Sequence, residues 1–195
     1  DVYKRQIFEY PNFDKFNTFP KLLKHRSEIM PDEVALRNKD LGIWNEITWD
    51  EYNKIVSELS IGLKSIGFKK GDVLALIGDN KPEWVFFEIA CHANGGMSLG
   101  VYRDTLDDEV GYLVKSAKVK FAYAEDQEQV DKLINVQKKL KTKIKVIYDD
   151  PRGLEKLKNP NVINMKDLAN VGKKQLNKNN KVYENLINQV PGETV

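Results

Sequence analysis

The sequence predicts an α/β fold, a mostly parallel sheet with flanking helices preceded by an N-terminal β-hairpin. Short apolar runs recur at Val73–Ile77, Met97–Tyr102, Val119–Ala124 and Ile144–Tyr148, and segments with apolar residues at helical spacing separate them. The first run, Val73-Leu-Ala-Leu-Ile77, has no polar alternation, which suits a strand buried on both faces as in a parallel sheet.

The elements follow in order. Thr18 is a suitable N-cap and Pro20 a first-turn residue for a helix carrying Leu22, Leu23 and Ile29, which should stop before Pro31. Val34–Arg37 and Ile43–Thr48 read as two strands around the turn residues Lys39-Asp40-Leu41-Gly42. Thr48 and Glu51 match a capping box, and Tyr52, Ile55, Val56, Leu59, Leu63 and Ile66 keep helical spacing until Gly67. After the first buried strand, Pro82 starts a helix through Trp84, Phe87, Ile89 and Ala90. Thr105 with Asp108 is a second capping-box pattern, and Asp126 caps a helix carrying Val130, Leu133, Ile134 and Val136. Residues 151–195 read as a less regular extension with a helix near Lys181–Gln189, residues 18–150 as the α/β portion, and 1–17 as a leader whose first six residues suit an assembly scar.

Composition excludes several classes. The chain has 195 residues, 31 basic and 29 acidic, and is 41% apolar, the balance of an ordinary globular protein. Cys91 is the only cysteine, too few for an internal disulfide or a structural zinc site, and points to a reducing, cytoplasmic setting. The longest uncharged run, Ile89–Tyr102, falls short of the roughly 18 residues a spanning helix needs. Charge is uneven: residues 1–130 carry 17 basic and 22 acidic side chains, and 131–195 carry 14 and 7. The basic part is a lysine- and asparagine-rich surface with hardly an aromatic beyond Tyr183 to stack bases, so nucleic acid is not the expected partner. Peripheral membrane contact is left open.

Alternating strands and helices place ligands at the carboxyl ends of the strands, here the loops Gly78-Asp79-Asn80, Tyr102-Arg103-Asp104 and Glu125-Asp126-Gln127. Gly96-Met97-Ser98-Leu99-Gly100 fits a nucleophile-elbow pattern, but its order is helix, serine, strand, and both histidines, His25 and His92, precede the serine. Cys91 and His92 are helix neighbours pointing about 100° apart, which suits a core thiol beside a surface or capping histidine. Asp107-Asp108-Glu109 sits at a helix start, where capping rather than metal binding is expected. The residues alone give no catalytic constellation and no metal set, and end at an α/β domain with a ligand-binding edge.

Several stretches narrow this further. Thr18-Phe-Pro-Lys-Leu-Leu23, Lys39-Asp-Leu-Gly-Ile-Trp44, Ile47-Thr-Trp-Asp-Glu-Tyr52, Lys70-Gly-Asp72, Gly78-Asp-Asn-Lys-Pro-Glu-Trp84, Gly100-Val-Tyr-Arg-Asp104, Ala124-Glu-Asp-Gln-Glu-Gln-Val-Asp-Lys-Leu133 and Val146-Ile-Tyr-Asp-Asp-Pro-Arg-Gly153 occur in one order. Together they resemble the N-terminal part of bacterial long-chain fatty acid-CoA ligases, in the AMP-binding, adenylate-forming superfamily, over about residues 18–172. The resemblance implies an incomplete portion of that superfamily's large N-terminal domain. It implies ATP, Mg²⁺, coenzyme A and a long-chain fatty acid as reactants of the complete enzyme, which joins the acid to AMP and passes the acyl group to the CoA thiol. The family's Ser/Thr/Gly-rich phosphate loop lies after the region seen here, so no catalytic residue carries over and the chain is expected to be inactive alone. It further implies that Gly100, Val101, Tyr102, Arg103 and Gln127 lie near the CoA nucleotide. Alternatives from other classes are a freestanding nucleotide- or CoA-binding module and a non-catalytic interaction domain. The plainer reading of the site residues is that Tyr102 packs and Arg103 pairs with Asp104 or Asp107.

Overall fold

A computed structural model describes residues 10–192. The proposed scar at residues 1–6 and part of the leader lie outside the described residues. Helix α1 (Phe19–Ile29) is followed by a hairpin of β1 (Val34–Asp40) and β2 (Ile43–Thr48), then by α2 (Trp49–Ser65). The sheet and its crossings comprise β3 (Val73–Ile77), α3 (Pro82–Ala93), β4 (Met97–Val101), α4 (Asp107–Ser116), β5 (Phe121–Ala124), α5 (Gln127–Leu140), β6 (Lys145–Tyr148) and β7 (Val162–Asn164), with α6 (Met165–Lys178) and α7 (Val182–Asn188) closing the chain.

The main sheet has five strands in the order β4-β3-β5-β6-β7, all parallel. Its two faces are sorted by strand alternation. Leu74, Leu76, Phe121, Tyr123 and Ile147 pack on the side of α2, α3, α6 and α7, whereas Val73, Ala75, Ile77, Ala122 and Val146 face α4 and α5. The chain moves outward from β3 to β4 through α3 on one face, then returns past β3 to β5 through α4 on the other. Right-handed crossovers require this change of face when direction reverses. The reversal leaves a crevice between the carboxyl ends of β3 and β5, where doubly wound sheets bind ligands.

Local capping explains most helix starts. Thr18 Oγ1 accepts from the Lys21 N–H, Thr48 and Glu51 form a reciprocal box, and Asp126 Oδ1 accepts from the Gln129 N–H. The Thr105–Asp108 box does not form. Helix α4 begins at Asp107 behind Leu106, which offers no capping side chain, and Asp107, Asp108 and Glu109 meet the helix dipole directly. Residues 151–195 differ most from the sequence reading. They contribute the edge strand β7 and the fourteen-residue α6, capped by Asn164 and laid along α2. Lysines and asparagines hide this helix in the sequence, because its buried face is narrow: Leu168 and Gly172 are its buried residues.

The hairpin turn is tighter than expected, with only Leu41 and Gly42 between the strands, at φ +46° and +84°. Two successive left-handed residues make the turn that matches strand twist, and leucine is a poor occupant of the first. Leu41 is 95% exposed, so no packing is lost on replacing it. Leu41→Asn is therefore expected to stabilise the protein by about 0.5–1 kcal/mol, read as a higher urea midpoint. A lower midpoint would show that the leucine is held by contacts rather than tolerated.

Candidate ligand site at the sheet edge

Beside that crevice, the carboxyl ends of β3 and β4 hold a cleft of about 400 Å³ lined by Gly78, Asp79, Asn80, Trp84, Tyr102, Arg103 and Asp104. Two of the three ligand loops expected from the sequence form its walls. Gly100 is exposed on β4, and a Cβ there would lie 3.1 Å from the Trp84 ring, so the glycine gives the indole room beside the strand. Pro82 and Trp84 open α3 at this edge, a placement the sequence shows as helix packing only.

Arg103 is the centre of the site. Its Nη1 donates to Asp79 Oδ2 at 2.6 Å and its Nη2 to Asp126 Oδ2 at 3.5 Å, spanning the loops after β3 and β5. It does not pair with Asp104 or Asp107. Lys132 Nζ donates to the Arg103 carbonyl at 2.6 Å and holds the loop from below. Asp79, with Asp126, holds the guanidinium above its ordinary pKa, so it stays charged. Tyr102 does not pack: it is 88% exposed.

Beneath this pair lies a buried carboxylate the sequence leaves undistinguished among the loop residues. Glu125 is 6% exposed, accepts from the Asp79 N–H at 2.6 Å, and pairs with Lys81. Gly78 makes this possible, since a Cβ there would be 2.8 Å from the Glu125 Cβ. Burial works against the Lys81 charge, but its hydrogen bond to Glu125 and the neighbouring carboxylates hold its pKa above the ordinary value. Burial pushes the Glu83 and Asp149 carboxyls up, with repulsion from Asp149 adding to it at Glu83 and from Asp150 and Glu125 at Asp149. The loop carrying Asp79 is thus fixed from below by the buried Glu125 carboxylate, itself paired with a partly exposed Lys81, while the Asp79 side chain lines the cleft.

The remaining expected site residues separate. Val101 is 3% exposed and belongs to the core on the α4 and α5 side, so its side chain does not face a ligand. Gln127 opens α5, reaches Asp131 through Nε2 at 3.4 Å, and lies beneath Gly153, where a Cβ would overlap its Oε1. It sits on the ligand edge but not in the cleft. Among the described residues no three His, Cys, Asp or Glu side chains converge in metal-binding geometry.

The nucleophile-elbow residues do meet. His92 Nε2 lies 3.1 Å from Ser98 Oγ, and Ser98 donates to Glu88 Oε1 at 3.4 Å. With the serine proton directed to Glu88, His92 donates to the hydroxyl instead of accepting from it, the reverse of a catalytic base. The trio ties α3 to β4. Cys91 is buried, and burial pushes its thiol up to about 12, so it is no nucleophile either. Among the described residues no helix is long and apolar enough to cross a membrane.

A doubly wound parallel sheet with a cleft at the carboxyl ends of β3 and β4 defines the class as an α/β domain of the doubly wound kind. The chain belongs to the AMP-binding enzyme family, whose profile matches residues 23–183. It is 25% identical to the Bos taurus long-chain-fatty-acid–CoA ligase ACSBG1 over 142 residues, 72% of this chain and 19% of that protein. It is 24% identical to Xenopus laevis ACSBG2, another long-chain-fatty-acid–CoA ligase, over 143 residues, 73% of this chain and 19% of that one. The chain thus spans about a fifth of these curated relatives, which are animal rather than bacterial enzymes. Among solved structures, the luciferase-like enzyme of the mealworm Zophobas morio superposes with a TM-score of 0.68 at 17% identity, covering 82% of this chain and 35% of that one. Acetoacetyl-CoA synthetase from Streptomyces lividans gives 0.66 at 20% identity, covering 77% and 24%. These likenesses show that the chain shares its fold with a part of each of those enzymes.

Proposed function

We propose that this chain is the N-terminal part of a long-chain fatty acid-CoA ligase, in which ATP and a fatty acid give an acyl-adenylate that CoA converts to acyl-CoA. The observation carrying the proposal is Arg103, a charged guanidinium at the carboxyl-edge cleft beside an exposed aromatic ring, Tyr102. That pair suits a phosphorylated nucleotide: the guanidinium fork matches phosphate oxygens and the ring offers a face for a base. We assign contact with CoA to Tyr102 and Arg103, with Gly100 making room for Trp84 and Gln127 forming the neighbouring helix start. ATP and Mg²⁺ are assigned to parts of the complete ligase beyond these residues, and the setting to the cytoplasm. The names of the curated relatives support the long-chain substrate.

Fatty-acid-dependent exchange of pyrophosphate into ATP tests the reading. The full-length protein is expected to exchange with long-chain acids and to form acyl-CoA, while the 195-residue chain alone gives only background. Exchange driven by an amino acid or an aryl acid, but not by a long-chain acid, would overturn the substrate assignment. Exchange by the chain alone would overturn its assignment as an inactive part.

A further inference from the structure

The acidic and basic residues separate by sheet edge more sharply than by position in the chain. At the carboxyl edge, the segments 78–83, 102–104, 125–128 and 149–152 carry eight acidic residues against Lys81, Arg103 and Arg152. At the opposite edge, the segments 64–72, 115–120 and 138–145 carry eleven lysines against Asp72, with Asp107 and Asp108 of the α4 start beside Lys115 and Lys139.

The strand register makes this second edge one surface. Val73 pairs with Met97, Leu74 with Phe121, and Phe121 with Lys145, so the strands begin side by side and α2, α3, α4 and α5 all end at that level. Hydrogen bonds stitch the rim together: Gly71 N–H to the Gly95 carbonyl at 2.9 Å, Lys145 N–H to the Lys120 carbonyl at 3.0 Å, and Lys145 Nζ to the Ile66 carbonyl. Asp72 is buried and already paired with Lys120, and Lys139 pairs with Asp108. Among the described residues, Lys64, Lys69, Lys70, Lys115, Lys118, Lys138, Lys141 and Lys143 are exposed and have no carboxylate partner.

Helix dipoles account for part of this pattern, since Lys64, Lys115 and Lys138 lie in last turns, where cations are favoured. They do not account for Lys118 and Lys141. Both have left-handed backbones, φ +53° and +52°, at positions just after a helix where glycine is the unstrained choice. The rim therefore gains positive charge where backbone geometry alone would favour glycine.

We propose that this lysine rim docks on an anionic lipid bilayer, turning the acidic, ligand-binding edge away from it. Lysines are mobile point charges without the fork geometry of arginine, and helix carboxyl ends present carbonyls rather than N–H groups. Such a rim has little means of gripping one phosphate but suits a diffuse sheet of headgroup charge. Phe68, the aromatic residue of these segments, is buried, so no ring is offered to a nucleobase. The fourteen-residue α5 is about 21 Å long, so the carboxylates around its start lie beyond the Debye length of about 10 Å at 0.1 M salt; Asp108, at the rim itself, offsets Lys139 and leaves the unpartnered lysines to attract.

Sedimentation of the 195-residue chain with phosphatidylcholine vesicles, with and without about one-third phosphatidylglycerol, tests the proposal. Binding is expected on the anionic vesicles only and should fade as salt rises. At roughly fivefold for each lysine near the surface, Lys118→Gly with Lys141→Gly should weaken it about 25-fold. Those substitutions also relieve left-handed strain, so the melting temperature should hold or rise, separating lost binding from lost folding. Lys54→Gln with Lys166→Gln, near the opposite ends of their helices, should leave binding unchanged. Equal binding to neutral vesicles, no binding to either, or full binding by the glycine variant would overturn the proposal. So would displacement by inorganic phosphate well beyond chloride of equal ionic strength, which marks a discrete phosphate site. Binding to a nucleic-acid duplex without binding to vesicles would assign the rim to that partner instead.

Discussion

Gly172→Ala is expected to destabilise the protein by about 2–3 kcal/mol, the larger of two backbone-level effects in the fold. A Cβ at Gly172 would fall 1.8 Å from the Glu58 carbonyl oxygen and 3.0 Å from the Gly62 nitrogen, and a Cβ at Gly62 would reach the Leu168 carbonyl at 2.6 Å. Helices α2 and α6 thus touch backbone to backbone at a glycine pair. No flexible side chain can yield there, so α6 must lift away and carry Leu168, buried at 1% exposure, out of the core. Alanine's better helix propensity offsets about 1 kcal/mol, which is already taken into the expected loss. Gly111 on α4 is the contrast, since a Cβ there meets only Val136 at an ordinary 3.9 Å. Gly111→Ala should be neutral or stabilising by up to about 1 kcal/mol. Urea unfolding of both variants checks the pair, and equal midpoints would refute the close contact of α2 and α6.

Arg103→Ala, in the complete ligase we propose, is expected to weaken CoA binding by about 1.5–3 kcal/mol, roughly 10- to 150-fold, while adenylation is largely kept. The fold should barely notice. The pairs with Asp79 and Asp126 are partly exposed, and such pairs contribute about 0–1 kcal/mol. The split between half-reactions separates causes: a raised Michaelis constant for CoA alone marks lost ligand contact, whereas parallel loss of adenylation and thioester formation marks damage to the loop. An unchanged CoA constant in a stably folded variant would leave Arg103 as a clip between the loops after β3 and β5.

The sequence alone determined what local chemistry controls. Thr18, Thr48 with Glu51, and Asp126 cap their helices because a side-chain oxygen needs only its own next turn. Val73–Ile77 is a strand because five apolar residues in a row fit a two-sided burial, and all five are buried. The loops at the carboxyl ends of the strands were legible for the same reason, as the polar segments after apolar strands. What the tertiary structure decided is which loops meet. The order β4-β3-β5-β6-β7 depends on the direction of each crossover, which strand composition does not encode, and it brings both Asp79 and Asp126 within reach of Arg103. Val101 left the expected site because strand alternation turned it into the core. Strand β7 and helix α6 were hidden because their stability comes from contact with β6 and α2, not from propensity or a wide apolar face. The charge pattern shows the same division: counted along the chain it is a modest asymmetry, and only parallel strands in register gather its lysines on one edge and its carboxylates on the other.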